Sequence, residues 1–249
     1  MSNIEVAELK LVRNWQEAIS KSRSYVDSNL VEALTQQFQN DLVNRSSPIS
    51  REMETVRKSH LLLGWSFSCI GITNPKIADI GGGNGYMFDW IKSAYPLVNP
   101  NWIVFESKEI AEAYQMYSAG LGISFASSTP LDKTLHFDLT IISCALQYLD
   151  NWEDVLEAAF ITSKYVLLMR MPLIHSNQHK VYVQTPGHGL YVDTSASWPI
   201  RLFSRKDFML NLERMSEVVF STYDPEETFP FEGGIFPLET FLLKSKLNT

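Results

Sequence analysis

Apolar and polar positions along the chain change rhythm near residue 75. Before it, Val6, Leu9, Leu11, Val12, Trp15 and Ile19 recur at roughly helical spacing, as do Leu30, Ala33, Leu34, Phe38 and Leu42. Residues 5 to 45 therefore read as helical. Asn44 to Ser50, with paired serines and Pro48, reads as a linker, and a further helix is predicted from Arg51 to Cys69. After Pro75, short apolar runs alternate with helical segments. Strands are predicted at Lys76–Ile80, Trp102–Glu106, Ile123–Ala126, Leu139–Ser143 and Tyr165–Met169, with helices at Gly85–Ala94, Lys108–Ala119 and Trp152–Ser163. This alternation predicts a mostly parallel sheet with helices on both faces and right-handed crossovers.

Residues 174–200 break the rhythm and read as an insertion or lid. Ser204 is placed to cap a helix running to about Met215. Glu217–Tyr223 and Glu239–Lys244 then form a closing antiparallel hairpin. The resulting division is a helical N-terminal extension or cap at 1–70 and an α/β domain at 75–249.

Composition narrows the function classes. Hydrophobic residues make up 45% and charged residues 20% of the 249, enough for a sizeable core. A net charge of −7 gives no excess of cations to displace counterions from a phosphate backbone, which argues against nucleic acid as partner. The first ten residues lack a charged stretch followed by an apolar one, and no apolar run reaches the ~18 residues of a membrane span. A cytoplasmic protein is expected. The two cysteines, Cys69 and Cys144, sit in apolar settings and read as buried free thiols.

Asp79-Ile-Gly-Gly-Gly-Asn-Gly85 directly follows the first strand and precedes a helix. Glycines at 81, 83 and 85 let the backbone turn sharply and approach a ligand, and the helix start offers free N–H groups. Dinucleotide sites space their glycines as G-x-G-x-x-G. Here the last glycine follows after two residues, and an acid stands two before the first. Glu106 ends the second strand, 21 residues beyond Gly85, where a carboxylate can accept both hydroxyls of a ribose.

The D-x-G-x-G-x-G pattern resembles motif I of class I S-adenosylmethionine-dependent methyltransferases. The resemblance implies a Rossmann-like fold, with a mostly parallel seven-stranded sheet, an antiparallel last strand and N-terminal helices. It implies S-adenosylmethionine as cofactor, with Asp79, Gly81, Gly82, Gly83 and Gly85 around its methionine portion and Glu106 on the ribose. Phe137-Asp-Leu-Thr-Ile-Ile-Ser-Cys-Ala-Leu-Gln-Tyr-Leu-Asp-Asn-Trp152 is similar to motif IV, where Ser143, Gln147 and Tyr148 would face cofactor and substrate. Many small-molecule members carry His where Gln147 stands, and Gln cannot act as a base. Ser127 and Ser128 fall where the family often contacts adenine. The stretches "WIVFES", "ALQYL", Arg170-Met-Pro172, "VQTP" and "WPIRLFS" further resemble a group of methyltransferases encoded among bacterial surface-polysaccharide genes.

Methyl transfer is an in-line displacement at a sulfonium, so the protein mainly binds, aligns and excludes water. No metal is required. A hydroxyl acceptor would gain from a base, for which His175, His179, His188 and Tyr191 are candidates. His175 and His179 are four apart, but Pro172 and the strand-like pattern argue against a helical metal pair, and no third ligand is evident. Arg170, ending an apolar strand just before Met171-Pro172, can meet an anionic substrate group or form a structural ion pair. Tyr148, Tyr182, Tyr191 and Trp198 can line an acceptor pocket or pack. The N-terminal helices fit a cap over the cofactor or a homodimer interface. The reading is a methyltransferase for a small-molecule or sugar-type acceptor. A non-catalytic S-adenosylmethionine- or nucleotide-binding module and an NAD-dependent oxidoreductase stand as alternatives. Motif IV lacks the Asn/Asp-Pro-Pro-aromatic sequence of nucleic-acid amino methylation.

Overall fold

A computed structural model describes residues 8–23, 28–45, 58–127, 132–185, 196–231 and 234–248. The first described element is a strand, β1 (Glu8–Val12), where helical spacing predicts a helix. β1 runs antiparallel to Lys180–Thr185, with Leu9 opposite Gln184 and Leu11 opposite Tyr182. The reason lies in Asn14, whose side chain accepts the Glu17 N–H at 2.9 Å and caps α1 (Trp15–Lys21). A cap at Asn14 starts the helix there, and the backbone ahead of it finds its hydrogen bonds on a neighbouring strand. α2 (Ser28–Arg45) and α3 (Lys58–Ile70) follow.

The α/β part then builds β2 (Lys76–Ile80), α4 (Tyr86–Ala94), β3 (Asn101–Phe105), α5 (Lys108–Gln115), β4 (Ile123–Ala126) and β5 (Phe137–Ser143). After a 3-10 turn at Leu146–Tyr148 come α6 (Trp152–Thr162) and β6 (Ser163–Met171). Next are β7 (Leu173–Ile174), β8 (Lys180–Thr185), β9 (Trp198–Ser204), α7 (Arg205–Met215), β10 (Ser216–Phe231) and β11 (Gly234–Ser245). Ser204 caps α7 as expected, accepting the Asp207 N–H.

Seven strands form one sheet in the order β10-β11-β6-β5-β2-β3-β4. β2 through β6 are mutually parallel, and β11 alone runs against both its neighbours. The chain leaves β2 toward β3 and β4, then returns to lay β5 and β6 on the other side. The switch in direction falls between β2 and β5, and ligands of open α/β sheets bind beyond the carboxyl ends at such a point. Register puts Ile80 level with Phe105 and Ile142, so three strand ends converge there.

Both faces of the sheet are covered. A first core joins α2, α3, α4 and α5 to the sheet through Phe38, Leu63, Ile91 and Trp102, none more than 1% exposed. A second lies under α6 and α7 around Phe160, Phe203 and Phe208. The strands around the region 174–200 join β1 from the N-terminal part in a separate four-stranded sheet, β1-β8-β9-β7. Arg201 of β9 ties it to the rest, donating to the Leu149 carbonyl at 2.8 Å with its guanidinium 4.4 Å from the Trp15 ring centre. Burial lowers the Arg201 pKa, against the pull of Asp150 and Glu153.

The thiols are free but not buried. Cys69 is exposed near the end of α3, on a face shared with exposed Leu61 and Trp65, and Cys144 is half-buried. No helix among the described residues is long and apolar enough to cross a membrane.

Candidate functional site

β2 delivers Asp79 to the start of the glycine loop with no exposed surface. The Trp102 indole N–H donates to its Oδ2 at 3.1 Å, while Oδ1 has no hydrogen-bond partner. Burial pushes the Asp79 carboxyl up to about 7, the indole bond opposing and the Glu106 charge adding to the rise. The loop folds back over this group. A Cβ on Gly82 would stand 2.3 Å from Asp79 Oδ2, so only glycine permits that approach. Gly81 donates to the Phe105 carbonyl at 2.8 Å, and Gly85 is the N-cap of α4. Gly83, at φ 58°, has open space where a side chain would stand.

Glu106 follows β3 and faces that loop. Its Oε1 accepts the Gly83 N–H at 2.9 Å and its Oε2 the Ser107 N–H at 3.2 Å. Burial raises the Glu106 pKa against both bonds. Beside it lies a cavity of about 210 Å³, walled by Leu34, Gln37 and Asp41 of α2, Gly83 and Asn84 of the loop, and Ile110 of α5. The Asn84 side-chain amide donates to Asp41 at 2.9 Å, fastening α2 to the loop. Asp79 is not a wall of this cavity. It lies beneath the loop that forms the wall.

The third group is the turn after β5. Ser143 ends the strand with a buried hydroxyl that has no hydrogen-bond partner. Cys144 turns the chain at φ 53° and donates its N–H to the Met169 carbonyl. A Cβ on Gly81 would lie 2.5 Å from that of Ala145, which sets this turn directly against the glycine loop. Gln147 is 1% exposed; its amide donates to Cys144 Sγ at 3.0 Å, and its Oε1 has no partner. The Tyr148 hydroxyl donates to Gln184 Oε1 at 3.0 Å, which also accepts the Trp198 indole N–H at 2.9 Å. Burial first, and Cys144 second, push the Tyr148 phenol far above its ordinary range, so its proton stays on oxygen.

Arg170 stands half-buried at the end of β6 with φ 57°. Ser127 is exposed just past β4, beside Ala126, whose carbonyl accepts the Glu106 N–H at 2.9 Å. Ser128, His188 and Tyr191 lie outside the described residues. His175 is exposed, whereas His179 packs between Trp152 and Phe203 and accepts the Ser204 N–H through Nδ1. His179 is thus part of the small sheet's packing. Among the described residues, no group of three or more His, Cys, Asp or Glu side chains is arranged to hold a metal ion. A larger cavity of about 400 Å³, between α6 and α7, touches the motif IV stretch at Trp152 and includes none of the glycine loop, Glu106, Gln147, Tyr148 or Arg170.

Sequence reasoning did not single out Gln37 and Asp41 as cavity walls, nor Gln184. α2 reads only as an apolar stripe, and Asp41 becomes a neighbour of the loop through the tertiary packing of Leu34 and Phe38. Gln184 carried a signal in the "VQTP" stretch, where a polar residue stands next to an apolar run.

No family model and no curated protein matches the sequence. Solved structures do match. An S-adenosylmethionine-dependent methyltransferase from Clostridium acetobutylicum superposes with a TM-score of 0.53 at 11% identity, over 85% of this chain and 99% of that one. The 1,6-didemethyltoxoflavin-N1-methyltransferase of Burkholderia thailandensis, solved with 1,6-didemethyltoxoflavin and S-adenosylhomocysteine, gives 0.52 at 14% identity, over 95% and 94%. Strand order, the lone antiparallel strand and these superpositions agree: the chain has the Rossmann-like fold of class I S-adenosylmethionine-dependent methyltransferases.

Proposed function

We propose that the protein is an S-adenosylmethionine-dependent methyltransferase that acts on a small-molecule or sugar-type acceptor. One observation carries this reading: the glycine loop and the Glu106 carboxylate are bonded to each other at the wall of a cavity, at the switch point of the sheet. Apart from Asp79 Oδ1 beneath the loop, buried polar atoms without a hydrogen-bond partner lie at the same strand ends, namely Ser107 Oγ, Ser143 Oγ and Gln147 Oε1. Such atoms are rare in a folded chain and fit a polar ligand.

In this reading Glu106 accepts ribose hydroxyls with lone pairs that Gly83 and Ser107 leave available. Gly81, Gly82, Gly83 and Gly85 shape the loop over the amino-acid portion, with Asp79 ordering it from below. Ser127 and Ser143 border the cofactor. When bound, S-adenosylmethionine supplies a methyl group on a positively charged sulfur. Gln147, Tyr148 and Arg170 belong to the acceptor side. Gln147 can orient an N–H or O–H donor through Oε1 but cannot take its proton, and Tyr148 keeps its own. Their contribution is alignment and exclusion of water.

The Burkholderia enzyme is named as a 1,6-didemethyltoxoflavin-N1-methyltransferase and holds that compound, which supports a small-molecule acceptor. The resemblance to methyltransferases encoded among surface-polysaccharide genes is the ground for including a sugar-type acceptor. The test is incubation with methyl-labelled S-adenosylmethionine and a panel of nucleotide sugars and nitrogen heterocycles. Label on one acceptor, with stoichiometric S-adenosylhomocysteine, is expected. Cofactor binding with no transfer to any member would favour a non-catalytic binding module.

A further inference from the structure

β6 contains one residue more than its neighbour accommodates. Leu167 and Met169 pack in the first core, and Val166 and Leu168 in the second. Strict alternation would send Arg170 into the second core and Met171 into the first. Met171 instead packs with Leu168. The register agrees, since Leu168 pairs with Phe241 and Met171 with Glu239. Three steps along β6 thus span two along β11. Arg170 is the extra residue, and its left-handed backbone, at φ 57°, is one that bulky side chains seldom adopt.

Thr240 sits between the two paired positions of β11, 3% exposed, and its Oγ1 accepts the Arg170 N–H at 3.2 Å. The next residue, Glu239, is itself held by a two-pronged pair with Arg205 at 2.9 and 3.2 Å. A bulge of this kind redirects a side chain. Here it keeps a guanidinium out of the apolar core under α6 and α7, where an isolated charge would be costly. It leaves Arg170 near enough to Tyr148 for its charge to act on the phenol.

We propose that this bulge presents Arg170 to an oxyanion of the acceptor, a carboxylate or phosphate, and that Thr240 is the positioning residue that holds it. The proposal rests on the methyltransferase reading for its acceptor, but its geometry is independent of the cofactor. Selective 15N-arginine labelling gives an Nε–H resonance for Arg170, assigned by its loss in Arg170→Lys. Inorganic phosphate is titrated into the wild type, Thr240→Ser and Thr240→Val, each with and without S-adenosylhomocysteine. The wild type and Thr240→Ser are expected to show a saturable shift, with binding weaker by about tenfold or more in Thr240→Val. Affinity for S-adenosylhomocysteine should stay within about twofold across the three. Should Thr240→Val fail to fold, Thr240→Ala takes its place in the series. An equal response with and without the threonine hydroxyl would remove Thr240 from the role. A wild-type resonance that ignores phosphate would remove the anion site. Failure to bind S-adenosylhomocysteine would count against the methyltransferase reading alone, because the phosphate series without it still reads Arg170.

Discussion

The Gly83 N–H donates to Glu106 Oε1 across 2.9 Å, joining the turn after β2 to the end of β3. Two groups far apart in sequence thereby become one wall of a cavity, with the carboxylate already aimed before a ligand arrives. Preorganisation of this kind lowers the ordering cost of binding.

The Gly82 position tests how tightly the loop depends on Asp79. A methyl there would collide with a short, buried carboxyl at 2.3 Å that has little room to retreat. Gly82→Ala should cost about 1–3 kcal/mol of stability, as overpacking does. It should also weaken S-adenosylhomocysteine binding by about tenfold or more. Thermal unfolding and calorimetry measure the two effects, and an unchanged protein on both would refute the packing argument.

Asp79 makes stability pH-dependent with a defined sign. Burial pushes its carboxyl up from 3.8 to about 7 in the fold, so between those values the folded chain holds a proton that the unfolded chain has lost. Stability from this group is therefore present at low pH and falls as pH rises through that window, by up to about 4 kcal/mol. Asp79→Asn should flatten the profile. Melting curves at pH 5 and 7.5 check it; a wild type that gains stability relative to Asp79→Asn on going up in pH would contradict it.

Gln184 Oε1 accepts from two buried donors, the Tyr148 hydroxyl and the Trp198 indole. Gln184→Leu takes this acceptor from both, at about 1–3 kcal/mol for each buried bond lost. Tyr148→Phe removes one donor and leaves the other bond intact, so its cost should be clearly smaller. Denaturant unfolding of the single variants and the double variant reads the difference. Equal costs for the two single changes would show that the acceptor is not shared.

Parts of this arrangement were legible in the sequence because they are local. Asp79 through Gly85 is a contiguous loop whose spacing follows from backbone conformation, and Glu106 is marked by its place at a strand end. Ser204 signalled α7 through its capping chemistry. β1 is not legible as a strand because Leu9 and Leu11 fit a helical stripe as well, and the distant edge at Lys180–Thr185 decides between them. The bulge at Arg170 was likewise illegible, since an extra residue shows only against the register of Phe241 and Glu239. Cys69 looked apolar in sequence, yet it lies on the outer face of α3, which helical spacing alone could not orient.

The most direct measurement of the central claim is calorimetric titration of the wild type and Glu106→Ala with S-adenosylhomocysteine, S-adenosylmethionine and NAD. The wild type should bind the first two in the micromolar range and not the third. Glu106→Ala should weaken binding by about thirtyfold or more, the value of a charged acceptor lost from a sugar diol. Binding of NAD without either sulfur compound, or a Glu106→Ala variant as tight as the wild type, would contradict the account.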